Sequence, residues 1–178
     1  MNLLKCHNHE HALQVARNSI KISDNKYILY LAFLHVVCDH KYSNSIPRIY
    51  LANFIDGIIP DYKIIDDLIE RVSFSEQQKE DIHNDVLNAV RDGDRIEALG
   101  NIGIKRCEQI TKIRNGKIPE DVIIHCFDKL SRLLPENYII TPIGRSMAVD
   151  KHNIIVKYVI DNLPKTNLMY KSPSFLRI

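Results

Sequence analysis

The chain has 178 residues, of which 45% are hydrophobic and 26% are charged, a balance that excludes a disordered protein and predicts one globular domain with its own core. Its formal net charge of +2 is too small to predict nucleic-acid binding through bulk charge, so no nucleic-acid partner is expected. The sequence shows no signal-peptide pattern and no apolar run long enough to span a bilayer, which predicts a soluble, cytoplasmic protein without membrane attachment.

The four cysteines are far apart and form no CxxC pair; they are Cys6, Cys38, Cys107 and Cys126. In a chain of this size, isolated cysteines are more typical of free thiols in a reducing compartment than of a disulfide framework. None of them lies in a recognised nucleophile motif, so the sequence predicts no catalytic role for a cysteine.

Helical spacing of apolar residues begins near the N-terminus and continues through most of the chain. The first predicted helix runs from about residue 7 to residue 22, and residues 23–25, Ser-Asp-Asn, are predicted to form a turn and N-cap after it. The second predicted helix, 25–41, is apolar on all faces, which indicates a position at the centre of the fold. After a loop, residues 48–58 form a short amphipathic helix.

The middle of the chain is also predicted to be helical. Apolar residues form a helical stripe over 64–72. Ser75 and Gln78 have the spacing of a capping box, which predicts a helix that opens there and runs towards residue 91.

Glycine and proline divide the C-terminal half of the chain into segments. Gly93 and Gly100 are expected to interrupt the stretch that contains them. Pro119 and Pro142 each occupy a position typical of the first turn of a helix, so a helix is predicted after each of them.

No segment alternates between apolar and polar residues over a strand length, and no repeat or linker is present. The predicted fold class is therefore all-α. The predicted domain organisation is one compact helical domain over residues 1–162 and a C-terminal tail over residues 163–178.

Three clusters combine histidine, carboxylate or basic side chains that suit metal or phosphate binding: His7 with His9 and His11, His35 with Asp39 and Lys41, and the segment 91–100. Each has a plain structural explanation as well. A histidine in an apolar helix is commonly a satisfied core residue, and a charged helix end is commonly solvated. The third cluster lacks EF-hand spacing, and the chain contains neither a phosphate-binding loop nor a nucleophile elbow.

The order of these clusters resembles the HD superfamily of metal-dependent phosphohydrolases. One subgroup, the bacterial HD nucleoside-triphosphate pyrophosphohydrolases, reads His-x-x-x-His-x-x-x-Val, then Ala-x-Leu-His-Asp-x-x-Asp-x-Lys-Phe/Tyr, then Asp-x-Asp-Arg-x-Asp-Ala-x-Gly-x-x-Gly-Ile. The corresponding stretches here are 7–15, 32–42 and 92–104, and the third is the most specific match. The resemblance covers most of residues 7–160 and implies an all-α fold around one metal centre.

Carried over by position, the resemblance implies that His11, His35 and Asp92 are metal ligands. Neutral imidazole with carboxylate suits divalent Mn, Fe, Ni, Co or Zn better than Ca. The resemblance also implies an orienting or proton-transfer role for Asp39 and a phosphate contact for Lys41. The implied reaction is the cleavage of (deoxy)nucleoside triphosphates to monophosphate and pyrophosphate.

The segment that carries Asp92 contains a second aspartate, Asp94, followed by Arg95. We expect Asp94 and Arg95 to form a structural ion pair that supports the helix carrying the ligand.

The chain departs from the family pattern at Val36, where the family has the aspartate of its His-Asp pair. In the family that carboxylate is a direct ligand, and a valine side chain cannot bind a metal, so reduced or lost activity is expected. Three explanations are open. The protein is a natural pseudoenzyme, an inactivated variant of an active enzyme, or an enzyme with a substitute ligand, for which His7, His9 and Asp39 are the candidates.

Three functions therefore stand as hypotheses. The first is an HD-fold metal-dependent phosphohydrolase of nucleotides whose activity is reduced or lost because of Val36. The second is a catalytically inactive nucleotide-binding or protein-interaction module that has kept the pocket. The third is an all-α scaffold in which the histidines are structural.

Overall fold

The computed structural model describes residues 9–37, 46–59, 62–77 and 84–163, without the side chain of Arg48. Within these ranges the chain forms nine α-helices and no β-strand, so the predicted all-α class is confirmed. None of the described helices is both long enough and apolar enough to cross a membrane.

The helices in chain order are α1 (His9–Ser19), α2 (Tyr27–Leu34), α3 (Arg48–Ile55), α4 (Tyr62–Ile69), α5 (Phe74–Gln77), α6 (Asp85–Glu97), α7 (Gly100–Ile113), α8 (Glu120–Asp128) and α9 (Pro142–Asn162). Short 3-10 turns follow α4 and α8. The described helices group into two compact units, one within His7–Asp94 and the other within Arg95–Ile178. The predicted end of the helical domain at residue 162 coincides with the end of α9, and the tail beyond residue 163 lies outside the described residues.

The predicted turn lies directly before α2, whose N-cap residue is Lys26. The Tyr27 backbone N–H donates a hydrogen bond to the side-chain oxygen of Asn25 at 3.0 Å. The helix ends at Leu34, earlier than predicted, so that His35 lies in the turn that follows it. Residues 38–41 of the predicted helix lie outside the described residues.

Only one face of α2 is buried. Ile28, Leu31 and Ala32 lie in the core of the first unit, whereas Leu29 and Phe33 are exposed. The helix was predicted to lie at the centre of the fold because it is apolar on all faces, and this prediction is wrong. A uniformly apolar sequence shows that a helix has a face to bury, but the packing of its neighbours decides which face that is.

Helix α6 has its own N-cap and does not continue from the capping box at Ser75. Residues 78–83 lie outside the described residues, and the chain is not helical at Asn84. The side-chain oxygen of Asn84 accepts a hydrogen bond from the Leu87 N–H at 3.0 Å, which is the geometry of an N-cap. The prediction of a single helix from Ser75 to residue 91 is therefore wrong.

Helices α1 and α6 approach each other closely at Gly93. A Cβ atom added to Gly93 would overlap the Ser19 hydroxyl oxygen and would lie 2.8 Å from the backbone carbonyl oxygen of Val15. The side-chain amide of Asn18 donates a hydrogen bond to the Gly93 carbonyl oxygen at 3.1 Å. The two backbones therefore meet at a point where only glycine fits.

Gly93 thus has a different role from the one predicted. Helix α6 runs through it without a break, so the prediction that Gly93 interrupts the chain is wrong. Gly100, with a φ of 75°, does mark a break, because it stands at the start of α7 in a conformation that other residues rarely adopt.

The second unit is built mainly from α7, α8 and α9, which pack against one another. Both helices predicted after prolines are confirmed. Helix α8 follows Pro119, and α9 begins with Pro142. The hydroxyl of Thr141 accepts a hydrogen bond from the Gly144 N–H at 3.0 Å, which caps α9.

We expect the substitution Gly93→Ala to lower the free energy of unfolding by up to about 2 kcal/mol, measured by urea denaturation. Alanine improves helix propensity by about 1 kcal/mol, but overpacking costs about 1–3 kcal/mol. The Val15 carbonyl belongs to the backbone and cannot move aside as the end of a flexible side chain can.

The control for this substitution is Gly57→Ala. An added Cβ meets no atom within 4 Å at Gly57, whose φ is 80°. That variant is expected to lose about 1–2 kcal/mol from the cost of a left-handed backbone and nothing from overpacking. A Gly93→Ala protein as stable as the unsubstituted chain would contradict the close approach of α1 and α6.

Candidate metal centre

Three side chains from different parts of the first unit converge on one point. They are His11 on α1, His35 in the turn after α2, and Asp94 on α6. Each offers one ligand atom, and these atoms all lie within 4.8 Å of one another. Among the residues that the structure describes, this is the one group of histidine, cysteine and acidic side chains with such spacing.

The shortest contact in this group joins His11 and Asp94. The His11 Nε2 atom lies 3.4 Å from the Asp94 Oδ1 atom. Adjacent ligand atoms on one tetrahedral ion are also roughly 3.4 Å apart, because metal–ligand bonds are about 2.1 Å long. The His11 side chain is 3% exposed and that of Asp94 is 27% exposed, so solvent reaches the group at the carboxylate.

The ring of His35 is oriented by the backbone of α2, the helix that precedes it. Its Nδ1 atom lies 2.8 Å from the Ala32 carbonyl oxygen. Because a carbonyl oxygen only accepts hydrogen bonds, Nδ1 carries the proton, and the lone pair of the neutral ring lies on Nε2. A backbone hydrogen bond of this kind fixes the tautomer of metal-binding histidines. The His11 and His35 rings lie edge to face, with centroids 5.7 Å apart and planes at 68°.

The close approach at Gly93 also brings His11 to Asp94. His11, Val15 and Ser19 are spaced four residues apart and therefore share one face of α1. Val15 and Ser19 are the residues that meet Gly93, and Asp94 is the next residue of α6. The contact that requires glycine thus places the imidazole beside the carboxylate.

Arg91 anchors α6 on the side away from Gly93. The residue is buried, and its Nε atom donates a hydrogen bond to the Arg71 carbonyl oxygen at 2.8 Å, in the 3-10 turn after α4. Residues two apart on an α-helix project about 200° apart, so Arg91 and Gly93 anchor nearly opposite sides of α6. These two anchors fix the rotation of the helix and with it the direction of Asp94.

Asp92, the third ligand implied by the resemblance, is not in this group. It is fully buried on α6, two residues before Asp94, so the two carboxylates leave the helix in nearly opposite directions. The structure places Asp94 with the two histidines, and the ion pair between Asp94 and Arg95 stays a prediction. Sequence spacing alone does not distinguish two aspartates on one helix; the position of the partner helix does.

Of the remaining predicted site residues, His9 and Val36 are described by the structure and are not in this group. His9 is exposed at the start of α1 and is not in the group. Val36 directly follows the histidine of the α2 turn, is partly buried and offers no ligand atom. His7, Asp39 and Lys41 lie outside the described residues.

Several solved bacterial structures are similar to this chain. Bacillus subtilis YpgQ, solved in complex with ADP, matches with a TM-score of 0.75 at 20% identity, over 91% of each chain. A Listeria innocua protein matches with a TM-score of 0.67 at 21% identity, over 93% of this chain and 90% of its own. An HD-superfamily hydrolase from Bacillus thuringiensis matches with a TM-score of 0.64 at 19% identity, over 88% of this chain and 84% of its own.

No protein-family model matches the sequence, and no curated protein does. The structural matches, at 19–21% identity, establish the fold of the chain and nothing further.

We expect Asp94→Asn to weaken Co²⁺ binding by at least about 10-fold, because it removes the carboxylate charge from the convergent group. Asp92→Asn is the matched control, with the same change on the same helix, and is expected to leave Co²⁺ affinity within a few-fold. Titration followed by the visible absorption of bound Co²⁺ measures both, and circular dichroism checks that both variants fold. Loss of binding in Asp92→Asn alone would contradict the assignment of Asp94.

Proposed function

We propose that the chain, which shares its fold with an HD-superfamily hydrolase, is a metal-dependent phosphohydrolase scaffold whose metal is held by His11, His35 and Asp94. The convergence of two imidazoles and one carboxylate from separate helices carries this proposal. The fold shared with the Bacillus thuringiensis hydrolase supports it. The donor set fits a divalent transition metal of the group Mn, Fe, Ni, Co and Zn.

A divalent ion in such a site supplies Lewis-acid polarisation of a phosphoryl oxygen and lowers the pKa of a water molecule. The protein supplies orientation and charge. The Ala32 carbonyl keeps the lone pair of His35 on Nε2, and the packing of α1 on α6 keeps the His11 ring beside the Asp94 carboxylate. Because His11 is buried and Asp94 is partly exposed, a phosphate group approaches the site from the side of the carboxylate.

Val36 leaves this donor set short of negative charge. Asp94 is the single anionic ligand among the three, so a doubly charged ion is only half neutralised. The family pattern has a second carboxylate at the position of Val36. Losing a supporting partner costs roughly 10–100-fold in metal affinity or activity, and losing a direct anionic ligand costs at least as much. We therefore propose that the scaffold binds metal weakly and that its turnover is reduced or lost.

We propose (deoxy)nucleoside triphosphates as the substrate class, cleaved to monophosphate and pyrophosphate. The motif resemblance over residues 92–104 supports this class. The similarity in fold to YpgQ, a protein solved in complex with ADP, supports a nucleotide ligand. In this proposal Lys41 contacts phosphate and Asp39 orients or transfers a proton, in the segment that follows His35.

Val36 also favours a second function, a nucleotide-binding or protein-interaction module without catalysis. An apolar side chain in place of an anionic ligand weakens the metal site but leaves Lys41, the proposed phosphate contact, in the sequence. A rise in melting temperature on adding nucleotide in the presence of EDTA would favour this module. No nucleotide-dependent change would exclude its nucleotide-binding form.

We expect Val36→Asp to increase pyrophosphate release from a mixed deoxynucleoside triphosphate pool with Mn²⁺ by at least about 10-fold over the unsubstituted chain. The added carboxylate supplies the missing charge next to His35. Val36→Asn is the matched control, because it has nearly the same shape without the charge, and it is expected to stay at the level of the unsubstituted chain.

Equal activity of the unsubstituted chain and Val36→Asp would instead indicate a substitute ligand, and His7, His9 and Asp39 would be substituted next. Absence of both activity and metal binding in Val36→Asp would contradict the phosphohydrolase scaffold.

A further inference from the structure

Helix α3 is apolar on its outer side as well as on the side that it buries. Leu51 and Ile55 lie in the core of the first unit and fix the rotation of the helix. On the side away from the core, four large apolar side chains are each 64–71% exposed: Ile49, Tyr50 and Phe54 on the helix and Ile58 in the turn after it. We call these four residues the α3 face.

The α3 face differs from the outer side of an ordinary surface helix. Helix α4, the next in the chain, buries an apolar stripe and exposes Lys63 and Asp67. Between Ile49 and Ile55, by contrast, no residue is charged, and Asn53 is the single residue with a polar amide or carboxyl side chain. A contiguous exposed apolar surface of this kind marks a contact site.

The area of the α3 face matches the apolar part of a stable dimer interface. Aromatic side chains have about 150–250 Å² of surface each, so Tyr50 and Phe54, at 66% and 71% exposure, together expose about 200–350 Å². With the two isoleucines the face exposes on the order of 500 Å². One side of a standard interface buries about 800 Å², of which about 56–65% is apolar, or about 450–520 Å².

The chemistry of the α3 face is complementary to itself. The centres of protein interfaces are enriched in tyrosine and phenylalanine and depleted of charge, which is the composition of this face. In a two-fold symmetric contact the same surface of both copies meets. If two antiparallel α3 helices cross at Ala52, Tyr50 of each copy lies opposite Phe54 of the other, because both positions are two residues from the crossing point.

The position of Asp56 favours this antiparallel arrangement. Asp56 is exposed directly after the C-terminal end of α3. Antiparallel helices place the Asp56 carboxylates of the two copies at opposite ends of the contact, whereas parallel helices would bring these like charges together at a cost. A strongly charged partner, in turn, would find no opposite charge along the centre of the α3 face.

We propose that the chain forms a symmetric homodimer through the α3 face, with the two α3 helices antiparallel. The occupant of the face is thus a second copy of this chain. None of the three residues of the candidate metal centre lies on α3, so the dimer forms without metal.

The mass of the full chain in solution, measured by sedimentation equilibrium in the presence of EDTA, tests this proposal. We expect the unsubstituted chain to have twice the 20.6 kDa of one copy. Phe54→Glu is expected to weaken the dimer at least about 30-fold, because it places a charge at the centre of the contact. Ile102→Glu is the matched control, since Ile102 is 56% exposed on α7 in the second unit, and it is expected to stay dimeric.

Circular dichroism checks that both glutamate variants fold. A monomeric mass of the unsubstituted chain at about 100 µM, where an interface of standard size is occupied, would overturn the proposal. So would a folded Phe54→Glu variant that dimerises as tightly as the unsubstituted chain.

Tryptophan fluorescence gives a second readout that keeps the α3 face apolar. The chain contains no tryptophan, so Tyr50→Trp introduces a single reporter. We expect its emission to shift to shorter wavelength as the protein concentration rises through the dimer dissociation constant, whereas the emission of Ile102→Trp stays constant. A dimeric mass without this shift in Tyr50→Trp would place the interface elsewhere and overturn the proposal. Neither readout depends on the proposed metal centre.

Discussion

The close approach of α1 to α6 at Gly93 determines the geometry of the candidate metal centre. Only a residue without a Cβ atom leaves room there for the Val15 carbonyl and Ser19. His11 lies on the same face of α1, and Asp94 is the next residue of α6, so the imidazole and the carboxylate meet because the two backbones meet. A ligand pair placed by packed helices is held in position before a metal or substrate arrives, which is what a preorganised site requires.

The same unit combines a well-oriented donor set with a deficit of charge. His35 has its tautomer fixed by the Ala32 carbonyl, and Asp94 has its direction fixed by the two anchors of α6. At Val36, by contrast, the chain has an apolar side chain where the HD family pattern has a carboxylate. The orientation of the ligands depends on helix packing, so it survives a single substitution beside the site. The charge of the site depends on individual side chains, so a single substitution can remove it. This difference is the reason why we expect the fold to be kept and metal binding to be weakened.

The features that local chemistry determines were predictable from the sequence. The helical periodicity gave the all-α class, the turn before α2 follows from residues 23–25, and the start of α9 follows from Pro142. Features that depend on a partner element were not. The buried face of α2, the role of Gly93 and the choice between Asp92 and Asp94 are all decided by the helix that packs alongside. The motif resemblance pointed to the segments that carry His11, His35 and Asp94, and the rotation of α6 determines which aspartate lies with the two histidines.

The most direct test of the centre is an anomalous difference map from crystals of the unsubstituted chain grown with Co²⁺ and measured at the cobalt absorption edge. The account predicts a peak within about 2.0–2.3 Å of a ring nitrogen of His11, a ring nitrogen of His35 and a carboxylate oxygen of Asp94, with Asp92 outside bonding distance. A peak bonded to Asp92 in place of Asp94, or no peak near the two histidines at saturating Co²⁺, would contradict it.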